Sequence, residues 1–93
     1  MINKLSPKYL RKKDVIFQEV SGKIHLLDEK HDAIVSLNET GSLIWMLITK
    51  PTSLDTISTH IADRYNVQKH QAEHDASSFV LTLLKSGFIV KVT

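Results

Sequence analysis

An apolar extended run that passes straight into a capped helix constrains this chain more than any other feature. In residues 33–48, AIVSLNETGSLIWMLI, the strand pattern ends on Leu37 and Asn38 comes next as a favoured N-cap. Glu39 then puts an anion in the first helical turn, where the helix dipole prefers one. The joint has almost no loop. Two further strand patterns precede it, and helical pattern dominates the chain from Asn38 onward. A small sheet whose last strand runs directly into a helical bundle leaves that strand as a free edge beside a helix. Such an edge can hold a peptide strand.

The two earlier strands are residues 15–20 (VIFQEV) and 23–28 (KIHLLD), rich in β-branched and apolar side chains. Ser21-Gly22 between them is a turn signal, and the polar segment 29–32 (EKHD) connects to the third strand, Ala33 to Leu37. Two short connections make an antiparallel meander. After the joint, Leu43, Ile44, Leu47 and Ile48 form one helical stripe, widened by Trp45 and Met46. The lone Trp45 reads as core because it adjoins that stripe. Gly41 costs helix propensity, and the expected compensation is a close approach of the helix to the sheet that a Cβ would block. Lys50-Pro51 ends the helix.

Residues 52–55 (TSLD) fit a capping box with Asp in place of Glu. Leu54, Ile57, Ile61 and Tyr65 then recur at helical spacing, with Asn66 as a left-handed stop. A third helix is expected from Gln68 to Ser86, with Ala72, Ala76, Phe79, Val80, Leu83 and Leu84 as its stripe and Gly87 as its terminator. Residues 88–92 make a short extended tail. The expected fold class is α+β, winged helix-turn-helix-like, with a three-stranded antiparallel sheet followed by three helices. Residues 1–13, with Lys4, Lys8, Arg11, Lys12 and Lys13 and one Ser6-Pro7 pair, read as a flexible polar arm. Residues 14–93 read as the folded domain.

The chain has 93 residues, enough for one domain, and its net charge is only +2. It has no cysteine, so disulfides, thiolate nucleophiles and Cys-based zinc sites are excluded. No apolar run reaches the ~18 residues of a membrane span and the first residues lack a signal-peptide core, so the expected compartment is the cytoplasm, with no membrane partner. His70 and His74 stand at i, i+4, the spacing of two zinc ligands. No His-Glu-x-x-His arrangement and no third ligand accompany them, and a solvated helix face accounts for them. Asp28, Glu29 and Asp32 are explained by turn chemistry. No nucleophile elbow, P-loop or glycine-rich phosphate cradle is present. The expectation is a domain without catalysis, cofactor or metal.

The joint also carries a family resemblance. Leu37, Asn38, Gly41, Ile44 and Trp45 match a Leu-Asn-x-x-Gly-x-x-Ile-Trp pattern. Ala62, Tyr65 and Val67 match an Ala-x-x-Tyr-x-Val helix exit, and Leu83 and Gly87 match the end of a third helix. In these residues, over roughly residues 14–90, the chain resembles the PqqD-like family, the recognition elements for precursors of ribosomally made, post-translationally modified peptides. One departure is the polar start of the third helix, residues 68–71 (QKHQ), where acidic residues are more usual.

The resemblance implies binding without catalysis. Its partners would be the leader segment of a precursor peptide and a modifying enzyme or leader peptidase, in systems such as those making lasso peptides or a quinone cofactor. It implies a leader added antiparallel to the third strand, with side chains entering the trough between that strand and the third helix. The expected peptide-binding residues are Ala33, Ile34, Val35 and Ser36 on the strand, and Ser77, Ser78, Leu81, Thr82 and Lys85 on the helix, with Lys85 pairing an acidic leader residue at the rim. A free edge also admits a second copy, so a homodimer is compatible with the pattern. The competing class is a DNA-binding winged-helix regulator, with Lys69, His70 and Gln71 leading into the major groove. Glu73 and Asp75 on the same helix, and the sixteen positions between Lys69 and Lys85, argue against a nucleic-acid partner.

Overall fold

The computed structural model describes residues 7–92. The chain runs β1 (Lys8–Arg11), β2 (Phe17–Val20), β3 (Lys23–Asp28), β4 (Ala33–Ser36), α1 (Glu39–Leu47), β5 (Thr52–Ser53), α2 (Leu54–Tyr65), α3 (Lys69–Ser86) and β6 (Ile89–Val92). The class is α+β, with antiparallel sheets and three helices. The meander expected from the sequence is β2-β3-β4, paired in that order, with Leu26 of β3 facing Phe17 on one side and Val35 on the other. Ser21 and Gly22 both take positive φ, 52° and 82°. That is the conformation a tight hairpin turn requires, and glycine adopts it without strain.

A second sheet, in the order β5-β1-β6, turns the expected extended tail into its strand β6, while β1 and β5 have no counterpart in the sequence pattern. Lys4 and Ser6 of the expected arm lie outside the described residues. Lys8–Arg11 belong to a sheet rather than to an arm: Lys8 faces both Ser53 and Val92, and Arg11 faces Ile89. The backbone N–H of Arg11 donates to Ile48 O at 3.1 Å, and its guanidinium lies 4.8 Å from the Phe17 ring centroid and 5.2 Å from that of Trp45. Burial against these rings pushes the Arg11 pKa down from its ordinary value. Arg11 is therefore a stacked structural residue, where the sequence alone puts it in a solvated basic run.

The helices form where caps and periodicity place them. Asn38 caps α1 as expected, Ser53 caps α2 one residue after the capping-box position Thr52, which pairs in β5 instead, and Asn66 and Gly87 close α2 and α3 in the left-handed region. α1 lies on β3 of the meander, α2 packs against α3, and β6 returns along α3 to pair with β1. The core runs through all of them: Ile24, Leu26 and Leu37 from the sheet, Ile44, Trp45 and Ile48 from α1 and its cap, Ile57 and Ile61 from α2, and Val80 and Leu83 from α3. Trp45 is fully buried and meets Phe17 edge to face at 5.6 Å, as expected for a core residue. Each fully buried isoleucine contributes about 1.5–3 kcal/mol over an exposed one, so this face of α1 holds the sheet to the helices.

Candidate functional site

The joint between β4 and α1 is held by hydrogen bonds from Asn38 and Ser42. Asn38 Oδ1 accepts from Gly41 N at 2.8 Å, and Asn38 O accepts from Ser42 N at 2.8 Å. The Ser42 hydroxyl, itself buried, accepts from Ile24 N at 2.9 Å and donates to Leu37 O at 3.4 Å. In a continued ladder Ile24 N would donate to Leu37 O directly. The Ser42 hydroxyl stands in that gap and ties the first turn of α1 into the sheet. Gly41 does permit a close approach, but its neighbour corrects the sequence reading. A Cβ at Gly41 would stand 2.5 Å from Phe79 Cε1, so the element that comes close is α3 and not the sheet.

β4 is an outer strand of its sheet, and the register fixes which of its backbone groups are free. Leu37 N donates to Ile24 O at 2.8 Å. Hydrogen-bonded pairs alternate along an antiparallel ladder, so with Val35 opposite Leu26 the Val35 groups also point inward to β3. Ile34 and Ser36 therefore turn their N–H and C=O outward. The opposite ladder agrees, since Leu27 N, the partner position of Ile34, bonds to Ile16 O on the β2 side instead. Side chains alternate between the two faces of the sheet. Val35 is half-buried and Leu37 buried on the helix side, whereas Ile34, 63% exposed, and Ser36 share the outer face. Ser36 Oγ there lies 2.8 Å from His25 Nδ1.

Two cavities open at the two ends of β4, and α3 contributes to both. One, of about 410 Å³, is lined by Asn38, Thr40 and Gly41 after the strand and by Asp75, Ser78, Phe79 and Thr82 of α3. The other, of about 360 Å³, lies at the β3–β4 turn and includes Asp28, Glu29 and Lys30, the segment from Lys12 to Ile16, and Ser86 with Gly87 from the end of α3. From Ala33 to Asn38 the extended chain covers ~17 Å. From Asp75 to Ser86 the helix covers ~16 Å. The two lengths are similar, and the cavities lie just beyond the ends of β4 without including any of its own residues.

The expected binding residues divide accordingly. Ala33 to Ser36 form the edge. Ser78 and Thr82 line the cavity beside Asn38. Ser77 and Leu81 do not: they line a separate groove with Tyr9, Leu54, Val80 and Leu84. The sequence pattern assigns them to the trough, but they lie on the opposite flank of the buried Ala72, Ala76, Val80 and Leu83 stripe. Lys85 is exposed and lines neither cavity. Asn38, Asp75 and Phe79 are not among the expected binding residues. The glycine at Gly41, which needs a bulky neighbour to justify it, is the signal that points toward Phe79.

The turn before β4 is closed by His31, whose Nδ1 is 2.8 Å from Asp28 Oδ2 and whose N–H donates to Asp28 Oδ1 at 3.2 Å. The side-chain hydrogen bond from His31 is the main cause that holds the Asp28 carboxyl below its ordinary value. Lys69, the leading cation of the DNA-binding alternative, pairs with Asp55 of α2 at 3.1 Å. His70 and His74 are both exposed, and no group of three metal-ligating side chains occurs among the described residues. No helix there is long and apolar enough to cross a membrane.

Comparison with known proteins gives the family and the fold. The profile of the family described as coenzyme PQQ synthesis protein D (PqqD) matches residues 23–89. Among solved structures the chain is similar to TbiB1 in complex with the TbiA(beta) leader peptide, with a TM-score of 0.76 and 21% identity over 86% of this chain and 93% of that one. It is also similar to a lasso peptide synthetase B1 complexed with the leader peptide, with a TM-score of 0.76 and 21% identity over 88% and 96%. A third is the solution structure of the PqqD truncation of Methylobacterium extorquens PqqCD, a stand-alone recognition element for ribosomally synthesised and post-translationally modified peptides. Its TM-score is 0.73 at 13% identity, over 89% and 88%. No curated protein matches the chain by sequence.

Proposed function

The chain belongs to the PqqD family, and from that footing we propose that it binds the leader segment of a ribosomally made precursor peptide by strand addition to β4. Bound in this way, the leader is presented to a modifying enzyme or leader peptidase. The observation that carries the reading is the outward set of N–H and C=O groups at Ile34 and Ser36 on an outer strand, with a cavity between α3 and the start of α1 just beyond its end. Two similar structures hold leader peptides, which supports it.

The mechanism is division of labour. The edge gives affinity through main-chain hydrogen bonds that make little demand on sequence, and the cavities at its ends select side chains. A ligand residue opposite Val35 or Leu37 turns its side chain to the α3 side, and one opposite Ile34 or Ser36 turns it to the outer face. The domain contributes binding and presentation and no bond-making step; the modification chemistry belongs to its partner enzyme. We read α2, the turn at Asn66 and α3 as the helix-turn-helix unit of a winged-helix relative, a reading supported by the short link and the close packing of the two helices. The cytoplasm is the proposed compartment, where a newly translated precursor first meets its modifying enzyme.

Proline substitution on the edge tests this. In calorimetric titration with the synthetic leader of a precursor encoded beside this gene, Ser36→Pro and Ile34→Pro should lose binding. Each removes an outward donor at a position where an edge strand tolerates proline. Ser36→Ala should bind as the parent does. Val35→Pro should destabilise the fold instead, because its N–H faces β3. Folded Ser36→Pro and Ile34→Pro variants that bind normally would show that β4 is not the docking edge.

A further inference from the structure

We infer that the cavity beside Asn38 is a specificity pocket for a basic side chain, lysine or arginine, of the bound peptide. The inference rests on the peptide-binding reading and extends it to the chemistry of one ligand position. Asp75 is the single ionisable residue among those that line the cavity. Its Oδ1 accepts from Gln71 Nε2 at 3.1 Å, which leaves Oδ2 without a protein donor among the described residues. The remaining walls carry no charge and mix the oxygens of Asn38, Thr40, Ser78 and Thr82 with the Asn38 amide and hydroxyl donors. Thr82 Oγ1 spends its proton on Ser78 O at 2.9 Å, and Asn38 Oδ1 is held by Gly41 N. The lone pairs of the Ser78 and Thr82 hydroxyls thus remain available as acceptors. The floor is Phe79, fixed over Gly41 by a contact too close for any Cβ.

This donor and acceptor inventory selects. An apolar side chain would cover Asp75, Ser78 and Thr82 without satisfying them, at a cost for each polar group buried. An acidic one would meet Asp75 as a like charge. A lysine or arginine can pair with Asp75 Oδ2, offers further donors to the free hydroxyl lone pairs, and can lay its stem or cation on the Phe79 face. The volume of about 410 Å³ accommodates either side chain. The opposite cavity differs in kind, because Lys12, Lys13 and Lys30 there stand among Asp14, Asp28 and Glu29. The cavity beside Asn38 therefore holds one carboxylate and no cationic side chain while the other is mixed, which gives the bound strand a preferred register. In that register the ligand residue opposite Leu37 points its side chain toward the pocket.

The test is selection of a displayed library of random dodecapeptides on the immobilised full chain, run in parallel with Asp75→Asn and Asp75→Lys. Both substitutions are on an exposed side chain, and thermal melts identify any loss of fold. The expected result is enrichment of Lys or Arg at one aligned position with the parent. That enrichment should be lost with Asp75→Asn and inverted to Asp or Glu with Asp75→Lys. A synthetic peptide from the parent selection should bind Asp75→Asn about fivefold more weakly, the effect of ~1 kcal/mol from one charge pair. An apolar consensus at that position, or the same basic profile with all three proteins, overturns the pocket assignment and leaves strand addition standing. A parent that enriches no peptides overturns the peptide-binding reading itself, and the pocket with it.

Discussion

Replacing Ser42 with alanine removes one oxygen from the joint, and the structure says what that costs. Ser42 Oγ accepts the Ile24 N–H at 2.9 Å, and the residue is 4% exposed. Ile24 is itself 1% exposed, so water does not reach the freed donor without opening the sheet. An orphaned buried donor costs about 1–3 kcal/mol. The longer 3.4 Å bond to Leu37 O is weak and adds little. Ser42→Ala should therefore lose about 1–3 kcal/mol in a urea melt with an unchanged m-value. In a domain of this size each kcal/mol lowers Tm by about 4–8 °C. Ser58→Ala is the matched control. Ser58 is equally buried, but its hydroxyl donates to Leu54 O at 2.7 Å, a carbonyl that already has its helical partner one turn on. Losing that second bond strands no backbone group and should cost less than about 1 kcal/mol. The reasoning fails if Ser42→Ala melts within about 0.5 kcal/mol of the parent, or if Ser58→Ala costs as much as Ser42→Ala.

The same geometry sets the outcome of two other substitutions. Gly41→Val should lower stability by about 1–3 kcal/mol through overpacking against Phe79, and should narrow the cavity beside Asn38; thermal melts as stable as the parent would place Phe79 elsewhere. Leu81→Ala should leave leader affinity unchanged in calorimetric titration and cost under about 1 kcal/mol in a urea melt, because Leu81 is 53% exposed on the flank of α3 away from β4; a tenfold loss of affinity would return it to the trough.

The legible part of the sequence is the local part. Asn38, Asn66 and Gly87 act through neighbours within a turn of chain, so cap and stop chemistry reads them directly, and the α2 cap is misread by only one residue, Thr52 for Ser53. The strands β2, β3 and β4 are joined by short links, so their order comes from turn residues. The sheet β5-β1-β6, beyond the extended tail that becomes β6, is not legible for the opposite reason. It joins three stretches remote in sequence, two of them only four residues and one only two, and Lys8 and Arg11 give β1 no apolar alternation. The trough is half legible. Period 3.6 identifies the buried stripe of α3, but that stripe has two flanks, and nothing in the helix itself says which one faces β4. Asp75, Phe79 and Thr82 lie on one flank, and Ser77, Leu81 and Leu84 on the other. Choosing between them takes a long-range contact. Gly41 against Phe79 is that contact.

The shortness of β4 bears on how selective such an edge is. Two outward residues offer about four backbone hydrogen bonds, each with a net value of about 0.5–1.5 kcal/mol, so the edge alone supplies ~2–6 kcal/mol before any ordering of the ligand is charged against it. Micromolar binding needs about 8 kcal/mol. The deficit has two consequences. A passing unfolded chain, or a second copy of the protein, gains too little from the bare edge to stay, which restrains the aggregation that a free strand otherwise invites. Under the proposed strand addition, a leader that stays draws the remaining free energy from side chains, and the cavities at the ends of β4, at Asp75 and Phe79 on one side and around Asp28 and Lys30 on the other, are the proposed sources. An edge this short thus transfers recognition from backbone to side chains. Beyond Leu37 the chain turns at the Asn38 cap into α1 and offers no further extended edge, so the selectivity is built into the same joint that ends the strand.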